Sequence, residues 1–349
     1  MTLRVIIYRL GVIPLLLLLC ILAACSQQDL DQEEQGMVSL KVLASPGTKA
    51  GEGGTATATL PPKETAIFDL SIFIFNSNGD VIGFTSKDFP NGEPTAVDVK
   101  TRKAKGCSVY AVANAKTLNN GKSPFDGVSI LSVFKTKYLS FADAKALDNA
   151  SCLLMMGVSS NFDTSSASSA TITLKRLASR IDYTIAVNND QTTGFPIVVD
   201  SYQLRNVPIS TLFLQSDFTN NPSMPSSTTF ADFDKVSTPI PSVAAPTSAG
   251  TYYVYANTDT SNETYLDIQA HSEVQGAGPK YTVWKSNFQV KMPDGKVKPN
   301  YHYKIDIVIN GSVTGKNGGV ITKYEAYPYF SGSILNPWGT NENRDLDLQ

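Results

Sequence analysis

The sequence predicts an all-β protein, and three observations carry that prediction. First, apolar and polar side chains alternate along several segments, most regularly over residues 301–310, as expected for strands with one buried face. Second, runs rich in β-branched and aromatic residues are separated by turn signals such as Asn-Ser-Asn-Gly-Asp at 76–80. Third, the composition is rich in Thr, Ser, Asn and Tyr but holds only six Met, which favours strands over helices. Short strands at this spacing are typical of β-sandwiches.

The length of the chain predicts two domains. A chain of 349 residues with 42% hydrophobic residues can form two cores of ordinary size. Residues 159–170 are almost entirely Ser, Thr, Asn and Ala, which indicates a junction. We therefore expect an N-terminal sandwich over residues 50–170 and a C-terminal sandwich over residues 171–349.

In the first half, residues 67–75 and 81–85 are predicted to form a hairpin, and residues 107–114 a central strand. The period then changes, because apolar residues between 133 and 147 are spaced like one face of short helices. The sequence thus predicts a compact helical excursion beside the first sandwich, with Ser140 as an N-cap.

In the second half, residues 171–187 are predicted to begin a new series of strands. Arg176, Arg180 and Asp182 share one face if this segment is a single strand, and solvated side chains are favoured there over a binding patch. Residues 218–249 are rich in Ser, Thr and Pro and are expected to form a long surface loop. Strands are predicted again over residues 252–257, 265–270 and 281–290.

The N-terminus has the layout of a secretory signal. Arg4 and Arg9 precede an apolar run that ends in Leu-Ala-Ala-Cys at 22–25, which resembles a bacterial lipobox. That resemblance implies a signal peptide over residues 1–24 and a diacylglycerol on Cys25. A transmembrane helix is the alternative, but the apolar core is shorter than the roughly 20 residues that a bilayer requires.

A single predicted strand follows this anchor. After an acidic spacer, residues 37–43 alternate apolar and polar side chains, as expected for a strand. Residues 51–59 are mostly Gly, Ala and Thr and contain no large apolar side chain that could join a core. The strand is therefore expected to lie between a membrane tether and a soft loop.

The composition argues against several other functions. A net charge of -2 and a pI near 5.8 give no electrostatic footprint for nucleic acid. Two histidines without nearby metal-spaced ligands, and no G-x-S-x-G motif, predict no metal, no cofactor and no enzymatic activity. Cys107 and Cys152 remain after processing, and they are expected either to form a disulfide or to be two buried thiols.

Several degenerate motifs, in order along the chain, resemble one family. They are the lipobox, the early strand, Phe73 to Phe75 with Gly79, Val109 to Asn114, Met155 to Gly157, Arg176 to Ile181, Tyr252 to Thr258, Tyr301 to Ile307, and Pro337-Trp338. Together they resemble the fimbrillins of the Bacteroidales, the FimA-like and Mfa-like pilins.

This resemblance implies two transthyretin-like β-sandwich domains, with the short helical excursion in the first. It also implies export as a lipoprotein to the outer membrane and assembly with other pilin subunits into an adhesive surface fimbrium. A trypsin-like protease would cut between Lys49 and Ala50, with Lys63 as a second candidate. The strand that carries Val38, Leu40 and Val42 would then leave.

A C-terminal segment of another subunit would replace the lost strand. The candidate donor side chains are those of Ile321, Tyr324, Tyr327, Ile334 and Trp338. A stalk subunit should donate this segment, whereas a tip subunit should keep it, and the adhesion target could be a host or bacterial surface ligand.

Two other functions stay open from the sequence. A monomeric surface lipoprotein could bind glycans on aromatic platforms that include Tyr252, Tyr253, Tyr255, Trp284 and the aromatic residues of 324–330. A hydrolase with scattered carboxylates is the third possibility.

Overall fold

The computed structural model describes residues 35–44, 60–94, 96–166, 169–188, 197–215, 218, 222–240, 246–274, 281–310, 320–328 and 344–345. Strands dominate these residues and the helices are few and short, which confirms the all-β prediction. The predicted domain boundaries stay predictions, but the strands fall into two groups with separate cores.

The first group is a closed barrel of seven strands in the order β1-β4-β3-β2-β5-β7-β8. Its interior is apolar because one side chain in two along the strands points inward. The strands are β1 (Gln35–Ala44), β2 (Asp69–Phe75), β3 (Val81–Asp88), β4 (Val97–Arg102), β5 (Cys107–Ala113), β7 (Met155–Phe162) and β8 (Ser169–Arg176).

A short helix and the predicted helical excursion lie outside the barrel. The helices are α1 (Pro62–Thr65), α2 (Ala115–Leu118), α3 (Leu131–Thr136) and α4 (Lys145–Asn149), and β6 (Tyr138–Ser140) lies between α3 and α4. Phe125 and Phe134 pack on Phe73 of the outer barrel face, forming a second apolar layer. The N-cap prediction for Ser140 is wrong, because Ser140 pairs with Ser210 in a two-stranded sheet.

The second group is a sandwich of a three-stranded sheet, β10-β15-β16, and a five-stranded sheet, β14-β9-β17-β18-β19. One apolar cluster contains buried residues from both sheets. Its strands are β9 (Ala178–Asn188), β10 (Ile197–Arg205), β14 (Thr247–Tyr255), β15 (Tyr265–Val274), β16 (Tyr281–Lys291), β17 (Tyr301–Asn310), β18 (Val320–Pro328) and β19 (Arg344–Asp345). Between β10 and β14, β11 (Val207–Pro208) pairs with β13 (Phe230–Ala231), and β12 (Ser210–Leu212) pairs with β6, in two small sheets.

The last barrel strand, β8, ends at Arg176, and the first sandwich strand, β9, begins at Ala178. Residues 159–162 lie on β7 and residues 169–170 on β8, and both strands belong to the barrel. The predicted strand over 171–187 is therefore two strands, β8 and β9. The peptide N–H of Leu177 donates to the Leu154 carbonyl at 2.9 Å, which fixes the break.

Part of the predicted surface loop over 218–249 packs against the second core. Phe233 and Ile240 are buried, and the backbone of Ile240 pairs with that of Val199. Cysteines 107 and 152 are buried and free, so the buried-thiol alternative holds. Within the described ranges, no helix has the length and apolarity needed to cross a bilayer.

Candidate functional site

Strand β1 occupies a closing position in the barrel. It pairs antiparallel with β4, where Val38 lies opposite Val99, and parallel with β8, where Leu40 lies opposite Ala170. If β1 were removed, β4 and β8 would each expose an unpaired edge to solvent. This strand is therefore the piece that closes the ring.

The side chains of β1 follow the alternation that the sequence predicts. Val38 and Leu40 are completely buried among barrel residues that include Val97 and Ile172. Met37, by contrast, is 53% exposed. Val42 lies on the same strand and its backbone pairs with Ile172, while its side chain lies outside the described residues.

The other residues predicted for assembly lie partly outside the described chain. Cys25, Lys49, Ala50, Ile334 and Trp338 are outside it. Three predicted donor positions lie on β18, whose backbone pairs antiparallel with β17: Ile321 opposite Val308, Tyr324 opposite Ile305 and Tyr327 opposite His302. Part of the predicted donor segment is therefore a strand of the five-stranded sheet, and it is distant from β1 along the sequence.

The side chain of Lys63 on α1 binds the backbone of helix α4. Its Nζ donates to the carbonyl oxygens of Leu147 and Asp148 at 2.6 and 2.7 Å and lies 4.3 Å from the centre of the Tyr253 ring. Burial lowers the pKa of Lys63, although the Asp148 carboxylate opposes that shift. Its side chain is therefore engaged at a half-buried site.

Glu64, the next residue, is fully buried between barrel and sandwich. Its Oε1 accepts a hydrogen bond from Tyr253 Oη at 2.7 Å and lies 3.4 Å from Arg180 Nη1. Its backbone carbonyl accepts a bond from Arg176 Nε at 2.7 Å. We call Lys63, Glu64, Arg176, Arg180 and Tyr253 the clasp, because they join α1 to both groups of strands.

The expectation of solvated side chains on β8 and β9 is wrong for all three residues. Arg176 is 1% exposed, and the side chains of Arg180 and Asp182 are each 23% exposed. Arg180 and Asp182 do share a face, since Arg180 Nε lies 2.9 Å from Asp182 Oδ1. Burial of charges at such a junction requires partners, and the clasp supplies them.

Asp182 connects the clasp to β17. His302 Nε2 lies 2.6 Å from Asp182 Oδ2, and Thr251 Oγ1 donates to Asp182 Oδ1 at 2.7 Å. Burial acts to raise the pKa of Asp182, but the bonds from His302, Arg180 and Thr251 outweigh it and hold that pKa well below its usual range. His302 is therefore part of a polar ladder and not a plain surface residue.

The aromatic platform predicted for glycans is wrong at its three tyrosines. Tyr252 and Tyr253 are each 8% exposed and Tyr255 is 1% exposed, because these side chains pack into the apolar clusters. Trp284 and residues 324–330 have no described side chains. None of these three buried rings could stack on a sugar in solution.

Sequence reasoning missed the clasp. The signal for α1 was present, because Pro at the first helical positions is typical of a helix start, and Pro61-Pro62 precede Lys63 and Glu64. The partners on β9 and β14 are more than 100 residues away along the chain, and local patterns do not reveal such pairs.

A comparison with known protein families tests the resemblance to the fimbrillins. Residues 37–197 match the family described as major fimbrial subunit protein (FimA). This part of the chain matches the fimbrial-subunit family. The match begins on β1 and continues through the barrel into β10, and the matched family is one of structural fimbrial subunits, not of enzymes.

Solved structures share the fold of this chain. A candidate cell adhesion protein from Parabacteroides distasonis is 16% identical, with a TM-score of 0.60, and the alignment covers 84% of this chain and 96% of that one. A fimbrilin (FimA) from Porphyromonas gingivalis is 14% identical, with a TM-score of 0.52 and coverage of 85% and 99%.

The tip fimbrial protein Mfa3 from Porphyromonas gingivalis is also similar. It is 12% identical with a TM-score of 0.53, and the alignment covers 84% of this chain and 99% of that one. No curated protein matches the sequence. Fimbrial subunits assemble with other pilin subunits, so the family implies a place in a cell-surface fimbrium.

Proposed function

We propose that the protein is a non-enzymatic pilin that is exported as a lipoprotein and assembled at the outer membrane by protease-triggered donor-strand exchange. The observation that carries the proposal is the position of β1, the first strand among the described residues, which closes the barrel between β4 and β8. A strand that precedes the others along the chain can leave such a position without unthreading the strands that follow it.

The energetics support a strand from another subunit in the vacated groove. Full burial of an apolar side chain such as Val38 or Leu40 stabilises by about 1.5–3 kcal/mol. An incoming strand would also satisfy the hydrogen-bonding groups of both neighbouring edges, as in other complexes formed by β-strand addition. Loss of β1 therefore creates a strong driving force for its replacement.

The contacts of Lys63 favour Lys49 as the processing residue. A trypsin-like protease must take the lysine side chain into its own specificity pocket. Lys63 Nζ is already bonded to two backbone carbonyls, and the next residue, Glu64, is buried. Cleavage between Lys49 and Ala50 would release β1 while α1 and the clasp stay in place.

Donation of the C-terminal segment would require β18 to leave its own sheet. In the subunit β18 is paired with β17 along nine residue pairs, from Tyr301 opposite Pro328 to Ile309 opposite Val320. A stalk subunit would exchange these bonds for those of a neighbouring groove, whereas a tip subunit would keep them.

Limited proteolysis tests the proposal. The purified chain is treated with trypsin, the new N-terminus is sequenced, and oligomers are followed by size-exclusion chromatography. We expect cleavage after Lys49 and polymer growth, no cleavage there in Lys49→Gln, and unchanged cleavage in Lys63→Gln. Monomers that persist after complete cleavage would contradict strand exchange.

The anchor is tested separately in cells. Two or three acyl chains on Cys25 would hold the precursor stably in a membrane, since each buried methylene contributes about 0.8 kcal/mol. Electron microscopy of cells that carry Cys25→Ser should show loss of surface filaments. Filaments of normal number on these cells would contradict the role of the lipid.

A further inference from the structure

A pocket on the outer face of the barrel is unrelated to the β1 position. It has a volume of about 400 Å³ and lies between β3 and the loop that follows α2. This volume falls at the lower end of the range for small-ligand sites, about 300–1,000 Å³. One or two rings of a small ligand would therefore fill it.

Phe73 and Phe84 form one wall of the pocket. They begin an aromatic row, because Phe84, Phe73 and Tyr110 lie opposite one another on β3, β2 and β5 and their side chains share the outer face. The helical excursion covers the middle of the row, where Phe73 is 2% exposed, but leaves Phe84 46% exposed. The rings of Phe84 and Phe73 are 4.5 Å apart and tilted by 37°.

The loop over residues 123–128 forms the opposite wall and is held in one shape. Phe125 N donates to Ser123 Oγ at 3.2 Å, and Val128 N donates to the Phe125 carbonyl at 3.1 Å. Lys137 Nζ donates to the Asp126 carbonyl at 2.9 Å. The buried Phe125 ring packs 5.3 Å from that of Phe73, which ties this wall to the aromatic row.

The polar groups at the rim are hydrogen-bonding groups of two kinds. Ser86 and Ser123 contribute hydroxyls, and the exposed Asp126 contributes a carboxylate. A hydroxyl both donates and accepts, whereas a carboxylate accepts. The pocket thus combines aromatic faces, whose π-systems are negative and attract C–H groups, with acceptors for several O–H donors.

We propose that this pocket binds a neutral pyranose sugar. A pyranose has an apolar C–H face that stacks on Phe84 and hydroxyls that reach Asp126, Ser86 and Ser123. A cationic ligand fits less well, because Lys137 Nζ donates to the Asp126 carbonyl and so places an ammonium charge beside this loop. The proposal goes beyond assembly, since strand exchange at β1 needs none of these residues.

Saturation-transfer NMR with the methyl glycosides of galactose, mannose and fucose tests this proposal. We expect at least one glycoside to bind the full chain at millimolar concentration. Phe84→Ala and Asp126→Asn should each weaken that binding about tenfold, which corresponds to about 1.4 kcal/mol. Tyr138→Ala is the matched control, because Tyr138 is 48% exposed but does not line the pocket.

Near-ultraviolet circular dichroism would verify that each variant is folded. If Phe84→Ala does not fold, Phe84→Leu, which keeps an apolar side chain but lacks the aromatic face, and the milder Asp126→Asn variant carry the test. Binding of none of the three glycosides, or binding that neither pocket substitution weakens, would overturn the proposal. So would preferential binding of N-acetylphenylalanine amide, since this would indicate a peptide site.

Discussion

Tyr253 Oη donates a hydrogen bond to Glu64 Oε1 at 2.7 Å and joins α1 to the second sheet across 189 positions of sequence. The bond is buried, and Glu64 is 0% exposed. The segment between the removable strand and the barrel is thus fastened to the sandwich. In the proposed assembly, this attachment keeps the processed N-terminus in place after β1 has left.

Tyr253→Phe should destabilise the chain by about 1–3 kcal/mol. The substitution removes the hydroxyl and leaves the Glu64 Oε1 atom buried with one partner fewer, and a hydrogen bond to a charged group is worth this much. Urea denaturation measures the free energy of unfolding. Tyr138→Phe at an exposed position is the control and should change it little.

Asp148 should make stability fall as the pH rises from about 4 to about 6. Burial raises the pKa of Asp148 to about 6, although the bond from Tyr253 N and the charge of Lys63 oppose the shift. An acid whose pKa is raised by folding contributes stability below its unfolded value near 3.8, and that contribution is lost as pH rises through the folded value.

Urea denaturation of the wild type and of Asp148→Asn at several pH values measures this contribution. The difference in unfolding free energy between the two proteins should change over the interval from pH 4 to 6 and level off above it. A difference that is flat across this interval would show that Asp148 has an ordinary pKa in the folded chain.

Gly157→Ala should destabilise the barrel by about 1–3 kcal/mol. A Cβ at Gly157 would lie 2.6 Å from both Ile172 Cγ2 and the Thr173 carbonyl oxygen, so β7 and β8 would have to separate. Gly36→Ala is a matched control in a strand, since its Cβ would meet its nearest atom at 3.6 Å. Thermal unfolding followed by circular dichroism should show a lower midpoint for Gly157→Ala alone.

The strands were predictable because their signals are local. Alternation over 301–310 and the apolar runs at 67–75 and 107–114 correspond closely to β17, β2 and β5. Every second side chain of a strand lies on the same face, so the alternation of apolar and polar residues within the strand predicts which face is buried. The fold class follows from many such segments.

The division of the chain near Leu177 was not predictable in the same way. Residues 171–187 form one strand-like series of mixed apolar and polar residues without Gly or Pro, so no local turn signal divides it. The break arises from distant partners: Arg176 N donates to Asn300 Oδ1 at 3.0 Å, and Leu177 N donates to the Leu154 carbonyl. The clasp depends on equally remote contacts, which is why sequence patterns favoured solvated arginines.

Leu40→Ala should lower the stability of the uncut chain and leave the stability of the processed polymer unchanged. Truncation of a fully buried leucine costs about 2–5 kcal/mol while β1 occupies the barrel. Once another subunit fills the groove, residue 40 no longer belongs to the assembly. Denaturation of both forms measures the two effects, with Met37→Ala as the exposed control on the same strand. An equal loss in both forms would mean that β1 stays in the polymer.

A disulfide staple between β1 and β4 tests the central claim most directly. Ser39 lies opposite Asp98 in the antiparallel pair, and directly opposed positions have Cα separations that a disulfide can span. The double variant combines Ser39→Cys and Asp98→Cys. After oxidation and trypsin treatment it should stay monomeric in size-exclusion chromatography, and it should polymerise once a reductant is added. The single variant Ser39→Cys should polymerise without reductant. Polymerisation of the oxidised double variant at the rate of the single variant would contradict departure of β1.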